Sequence, residues 1–375
     1  MRPTSEEELS ALVAEASGPL VIRGGGTRGI GRPVTGEVLE TGALTGIALY
    51  EPGALTLVAK AGTPVAEIEA ALSAEGQRLA FEPIDCRGLL GREGTPTIGG
   101  VVAANASGPR RIQAGACRDH MLGVRFVDGT GAVVKNGGRV MKNVTGYDLV
   151  KLMAGSHGTL GVLTEVALKV LPAPEMSATL SFAGLSTERA VAAMSAALGS
   201  PFEVTGAAHL PDGSDGTAET LLRIEGFDDS VAYRAERLRA LLEAFGTARI
   251  DRHEGREAGP WAAVRDVAAF HDAPGDVWRI SVKPSDAPAI ARAADAEGLV
   301  FDWGGGLIWA RVPAGTDLRA RIGPFAGHAT LMRGDEATRA ALPVFQPEPA
   351  PVAALSDGLR QRFDPRGVLN PGLMA

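Results

Sequence analysis

Cysteine is scarce: Cys86 and Cys117 are the only two in 375 residues. Two thiols make neither a disulfide framework nor a four-thiolate zinc or iron–sulfur site within one chain, and the expectation is two buried thiols in a reducing cytoplasm. Positive charge is also short, with 37 Lys+Arg against 44 Asp+Glu, a net charge of −7 and a pI near 5.5. Nucleic-acid binders concentrate a basic excess, so DNA and RNA are set aside as partners. No run of about 18 apolar residues occurs. The start, Met1-Arg2-Pro3-Thr4-Ser5-Glu6-Glu7-Glu8, has no apolar signal core. Neither a membrane span nor a secretory leader is expected, and any membrane contact would come through a partner.

Glycine is in surplus. There are 49, about 13% against an average near 7%. Glycine serves where a backbone turns sharply or approaches a ligand closely. The apolar share of 45% and charged share of 22% are those of a globular protein, and the length suits two or three domains.

Ser5 and Glu8 form a capping box before Leu9, Leu12, Val13 and Ala16 at helical spacing, which predicts a first helix ending near Gly18. Pro19–Ile22 reads as a short strand running into the loop Arg23–Arg28. Strands are expected at Ile47–Tyr50 and Leu55–Lys60, then a helix opened by Thr63-Pro64 and closed by Gly76. A second unit holds a hairpin, Val124–Val127 with Ala132–Lys135, turning at Asp128-Gly129. After a helix over Asp148–Met153, Val162–Val170 alternates: Val162, Thr164, Val166, Leu168 and Val170 share one face, with Glu165 and Lys169 on the other. Pro172-Ala173-Pro174 marks a boundary. Beyond it, a β-α-β-β-α order through Phe245 predicts an α+β layer of ferredoxin-like type. No internal repeat of solenoid period is evident. The apolar run Leu307-Ile308-Trp309 reads as a buried strand or, alternatively, an interface.

Three glycine clusters carry the chemistry. Gly24, Gly26 and Gly29 satisfy G-x-G-x-x-G after a strand, yet no helix follows, because Gly31-Arg32-Pro33 and Gly36 intervene; a Rossmann site is therefore rejected. What remains is a loop whose exposed N–H groups suit an anion nest, with Thr27 adding a hydroxyl, or else a bare chain reversal. Thr97–Gly108 is built of small residues that let a flat ring or diphosphate lie against the backbone, with Asn105 and Ser107 orienting it; tight helix packing is the alternative. Gly155–Val162 is a turn whose backbone suits a purine edge or ring carbonyl. Its His157 reads as a solvated turn residue.

These clusters, in this order, resemble the flavin domain of the vanillyl-alcohol oxidase (VAO/PCMH-type) superfamily, which includes D-lactate dehydrogenases and glycolate oxidase subunits. The matching segments are Arg23–Arg28, Thr97–Gly108, Gly115–Asp119, Lys142–Leu149, Gly155–Glu165 and the tail Phe363–Gly372. The resemblance implies FAD. It assigns Gly24, Gly25, Gly26 and Thr27 to the pyrophosphate, and Thr97, Gly99, Gly100, Asn105 and Ser107 to the diphosphate and flavin. Gly115, Asp119, Gly161 and Val162 fall to the ribityl chain and adenine. Members that attach FAD covalently use a histidine where this chain has Thr27, so a dissociable cofactor is expected. The implied fold is α+β: a two-part FAD domain over 1–172 (about 1–80 and 81–172), a ferredoxin-like domain over 175–342, and a tail over 343–375 returning to the flavin domain.

The short second domain makes the chain most similar to the FAD-binding E-type subunits of bacterial glycolate oxidase. That likeness implies a complex with a larger flavin subunit and an iron–sulfur subunit, cytoplasmic or peripheral at the inner membrane. Glycolate, a 2-hydroxy acid, would become glyoxylate, with electrons leaving towards quinone. Catalytic D-2-hydroxy-acid dehydrogenases of the superfamily carry H-x-G-D-G-N-x-H, which has no counterpart here; His253, His271 and His328 are scattered without metal-ligand spacing. The base is unassigned. Arg279 and Lys283 are candidates for a carboxylate-binding cation, and Tyr147 for a residue near the flavin. Two readings stay open: a dehydrogenase in its own right, or a flavin-bearing relay or structural subunit.

Overall fold

The computed structural model describes residues 1–139, 146–213, 215–254 and 259–375. The chain divides into two compact units. One comprises 1–107, 115–172 and 347–375, and the other 108–114 and 173–346.

In the first unit, the helix Glu6–Glu15 is capped by Ser5, whose Oγ accepts the Glu8 N–H at 3.1 Å, while Glu8 reaches back to the Thr4 N–H and hydroxyl at 2.7 and 3.0 Å. Its apolar face buries Leu9 and Val13 completely. Strands β1 (Leu20–Arg23) and β2 (Glu37–Glu40) pair in parallel. A five-stranded antiparallel sheet holds β3 (Ile47–Glu51), β4 (Thr56–Lys60), β6 (Met121–Val127), β7 (Val133–Gly137) and β8 (Val162–Lys169) in the order β3-β4-β8-β6-β7. The short β5 (Gln77–Arg78) and β9 (Leu171–Pro172) form a separate pair. The clean alternation expected of β8 is not found. Leu163 and Ala167 are buried as well as Val162, Val166 and Leu168, because this central strand is covered on both faces; only Glu165 and Lys169 stay partly open.

The tail closes this unit. Asp364, itself buried, accepts the Val368 and Leu369 N–H groups at 3.1 and 2.7 Å. Arg366 donates to the carbonyls of Val13, Ala14 and Ala16 at the end of the first helix, where the free carbonyls and the helix dipole favour a cation. Val368 and Leu369 then join Leu9, Val13, Leu20, Leu39, Leu44, Val127 and Val162 in one core.

The second unit is one antiparallel sheet of eight strands: β10 (Met176–Ala183), β11 (Gly206–Leu210), β12 (Glu219–Gly226), β13 (Arg249–Glu254), β14 (Asp276–Val282), β15 (Gly298–Asp302), β16 (Leu307–Val312) and β17 (Gly327–Arg333). Their order is β13-β10-β12-β11-β15-β16-β14-β17. The first four strands have the ferredoxin-like order 4-1-3-2. The last four repeat it in reverse, so two β-α-β-β-α-β halves meet at their second strands, where His209 of β11 pairs with Phe301 of β15. This repeat is carried by topology and was not evident in the sequence. Leu307, Ile308 and Trp309 sit inside β16 and are buried, which rules out the interface reading for them.

His209 sits at the seam, 1% exposed, with Nδ1 2.9 Å from Thr220 Oγ1 and Nε2 without a partner. Burial pushes its imidazole down to about 4 from an ordinary 6.5, so it folds neutral. A depressed histidine contributes stability that is complete above the unfolded value and is lost as pH falls from about 6.5 towards 4. His209→Gln is expected to shrink the stability difference between about pH 7.5 and about pH 5 by roughly 2 kcal/mol, measured by urea unfolding at each pH. An unchanged difference would show that His209 does not titrate on unfolding.

Candidate functional site

The first glycine cluster follows β1. Among the described residues, the N–H groups of Gly24, Gly25, Gly26 and Thr27 donate to no protein acceptor. Their neighbours are fully engaged: the Ile22 N–H is held by Asn370 Oδ1 at 2.8 Å, and the Arg23 carbonyl accepts the Thr41 N–H at 2.8 Å. Sterics explain the glycines. A Cβ on Gly25 would stand 1.6 Å from the Thr95 carbonyl oxygen, and one on Gly94 2.2 Å from the Gly25 oxygen. A Cβ on Gly24 would stand 2.8 Å from Thr97 Oγ1, and Gly26 has φ +74°. Two stretches of main chain, 24–26 and 94–97, touch without side chains between them.

The second cluster starts there. Thr97 caps the helix Ile98–Ala103, its Oγ1 accepting the Gly100 N–H at 3.3 Å, while Gly99 packs its bare Cα on Ala61. Beyond the helix, Asn105 takes φ +46°, and its Oδ1 accepts the Arg118 N–H at 3.0 Å. Ser107 Oγ accepts the Cys117 N–H at 2.9 Å and donates to the Asn105 carbonyl at 3.3 Å. Asp119 Oδ2 accepts the Ala116 N–H at 2.9 Å beside Gly115, whose φ is +90°. Asn105, Ser107, Gly115 and Asp119 are thus brought together, and the side-chain oxygens of Asn105, Ser107 and Asp119 fix the loop itself.

The third cluster is tied to the second by the Gly155 and His157 N–H groups, which donate to the Val102 and Ala103 carbonyls at 3.1 and 2.9 Å. Asn370 then joins it to the first, because its Nδ2 donates to the His157 carbonyl at 2.9 Å. His157 departs from expectation. It is half-buried rather than solvated, with φ +50°, and burial pushes its imidazole down to about 4. Gly161 and Val162 lie on the core side: a Cβ on Gly161 would meet the Phe126 ring at 2.5 Å, and Val162 is wholly buried.

Two residues escaped the sequence reading. Asn370 lies in the tail motif, whose Leu-Asn-Pro-Gly gave the only signal. Arg28 ends the first loop; its Nη2 donates to the Ile84 carbonyl, its Nε is buried without a partner, and Nη1 lies 3.9 Å from the Cβ position of Gly100. Ser156 Oγ is likewise buried without a partner. Unpaired amides in a glycine cradle, with an orphaned guanidinium nitrogen and hydroxyl, fit a long anionic dinucleotide.

Of the remaining candidates, Lys142–Thr145 lies outside the described residues. Tyr147 is 89% exposed, and Lys283 is exposed beyond β14. Arg279, in β14, stacks its guanidinium 5.1 Å from the Trp303 ring.

Residues 1–137 match a family model described as an FAD binding domain. Over 372 residues the chain is 37% identical to the glycolate oxidase subunit GlcE of Escherichia coli (strain K12), covering 98% of this chain and 95% of that one. It is 32% identical over 193 residues to the glycolate oxidase subunit GlcD of Bacillus subtilis (strain 168), covering 48% and 38%. A solved alkyldihydroxyacetonephosphate synthase superposes with a TM-score of 0.70 at 16% identity, over 99% of this chain and 76% of that one, a likeness of fold alone.

Gly25→Ala is expected to abolish flavin retention through purification, since the new methyl cannot coexist with the Thr95 carbonyl. Gly18→Ala, with nothing within 4 Å of its Cβ position, is the control and should keep the wild-type ratio of visible flavin to protein absorbance. Full flavin content in the first variant would show that the contact between 24–26 and 94–97 is not needed.

Proposed function

Because the chain belongs to the VAO/PCMH-type family of FAD-linked oxidoreductases that includes the GlcE subunit of glycolate oxidase, we propose that it is the FAD-binding subunit of a glycolate oxidase or dehydrogenase complex. FAD is its cofactor. In this reading the complex converts glycolate, a 2-hydroxy acid, to glyoxylate. Electrons leave through an iron–sulfur subunit towards quinone, and a larger flavin subunit completes the assembly. Among the described residues no helix is long and apolar enough to cross a membrane, so the chain's place at a membrane rests on those partners.

The observation that carries the reading is the row of unpaired main-chain N–H groups at Gly24–Thr27, held against Thr95–Gly100. Bound FAD supplies a two-electron acceptor for the carbon that bears the hydroxyl. The chain's residues divide the remaining work. Gly24, Gly25, Gly26 and Thr27 hold the pyrophosphate through backbone amides, which carry no counterion and need no side-chain ordering. Thr97, Gly99 and Gly100 keep the second wall flat for diphosphate and flavin. Asn105, Ser107, Gly115 and Asp119 fix the loop around the ribityl chain, while Gly161 and Val162 contribute backbone near the adenine. Arg28 adds a guanidinium of fixed charge to the anionic cofactor, and Asn370 locks the first and third clusters at one spacing. With Thr27 in the first loop, no histidine is available there for a covalent link, so the flavin is dissociable. Hot trichloroacetic acid should release all yellow colour to the supernatant; a yellow pellet would refute dissociable attachment.

Substrate oxidation has its own test. Anaerobic glycolate added to the isolated flavin-loaded chain is expected to bleach the absorbance near about 450 nm as the flavin takes up electrons. An unbleached spectrum would assign the substrate step to the larger subunit and leave this chain as a flavin-bearing relay.

A further inference from the structure

The helix Ala350–Phe363, in the unit that carries the glycine clusters, presents an apolar face that the chain does not cover. Helices of about this length are marginal in water on their own and normally gain stability by packing an apolar stripe. Here none of the 14 residues is fully buried. The half-buried positions are Ala353, Ser356, Arg360 and Phe363. Of these only Phe363 is large and apolar, and it meets the Phe126 ring at a centroid distance of 6.0 Å. The long aliphatic side chains point elsewhere: Val352, Leu355 and Leu359 are 46%, 72% and 39% exposed.

Val352, Leu355, Leu359 and Arg362 follow one another at spacings of three, four and three residues, the rhythm of a coiled-coil seam. Glu348, exposed and four residues before Val352, stands at the N-terminal end of the same stripe. The stripe is acidic at one end, apolar in the middle and basic at the other. Among the described residues neither Glu348 nor Arg362 makes a hydrogen bond or an ion pair. The other two charges of the helix are already engaged, because Asp357 accepts from Arg360 at 2.9 Å. Gly358, beside the stripe, has nothing within 4 Å of its Cβ position, which leaves room for a neighbouring helix.

We propose that this stripe is the contact between two copies of the chain, their helices packed antiparallel about a two-fold axis. The charge pattern selects both the occupant and the direction. A two-fold contact needs one self-complementary patch, and an antiparallel copy brings the Glu348 end of each stripe to the Arg362 end of the other. Leu355 then lies beside Leu359 of the second copy, and the aliphatic stem of Arg362 covers Val352 while its guanidinium reaches the free carboxylate of Glu348. A parallel pair would set Glu348 against Glu348 and Arg362 against Arg362, and would align the two helix dipoles. A helix about 21 Å long makes a small interface, so the dimer is weak and forms in equilibrium with the single chain.

The test is sedimentation equilibrium of the full flavin-loaded chain over about 1 to about 200 μM. The mass should rise with concentration from the 38.7 kDa of one chain towards twice that. Leu355→Gln, a change at an exposed position, should weaken association about tenfold or more at unchanged flavin content. Glu348→Arg and Arg362→Glu should each weaken it about threefold or more, and the two together should restore it, because the reversed charges again meet across the axis. The charge pair provides the readout if the Leu355 variant fails to fold. A single chain at every concentration, association indifferent to Leu355→Gln, or a double variant no better than its parents overturns the proposal. A single chain that loses co-purification with a co-expressed larger flavin subunit on Leu355→Gln would give the stripe to that subunit and overturn the assignment to a second copy.

Discussion

A single contact organises the flavin-binding unit: main chain 24–26 lies on main chain 94–97 with no side chain between them. A methyl group at Gly25 would sit 1.6 Å from the Thr95 oxygen, well inside any non-bonded contact. Because the loop is held this way, its own N–H groups find no protein partner, and hydrogen-bonding capacity that folding would normally consume is left for a ligand. The neighbouring structure follows from that need. Thr97 caps the adjoining helix, Asn370 spaces the first cluster from the third, and Asp364 and Arg366 fasten the tail that delivers Asn370.

The second unit solves a different problem. Two ferredoxin-like halves share a seam at β11 and β15, so each half covers what would be an open strand edge of the other. The seam contains a buried histidine kept neutral by desolvation, making the joint firm near neutrality and weaker in acid. Residues 108–114 belong to this unit although the chain on either side belongs to the other. They are held by Arg110, which pairs with the buried Glu225 beside Arg223, and by the Gly108 carbonyl on the Trp303 indole. A deeply buried ion pair of this kind is costly to break one partner at a time, so it is a durable anchor for the excursion.

Two of the histidines have structural surroundings: His209 in the seam, and His271 with its Nε2 2.8 Å from the Asp266 carbonyl. Among the described residues no group of three or more His, Cys, Asp and Glu is arranged to hold a metal ion.

Much was determined locally and could be read from the chain. The Ser5 cap, the helix after Thr63-Pro64, the hairpin across Asp128-Gly129 and the three glycine clusters depend on residues within a few positions of one another, where side-chain chemistry acts directly on the backbone. The β-α-β-β-α order after Pro174 was legible for the same reason. Other features depend on distant partners. The burial of both faces of β8, the desolvation of His157, the core-side packing of Gly161 and the mirrored second half of the sheet arise from segments well separated along the chain or from topology. So do the roles of Arg28 and Asn370, and the stacking of Arg279 on Trp303. The sequence alone determined which segments leave their backbone bare; only tertiary structure decided which bare segments face one another, because burial and close approach are properties of pairs of elements.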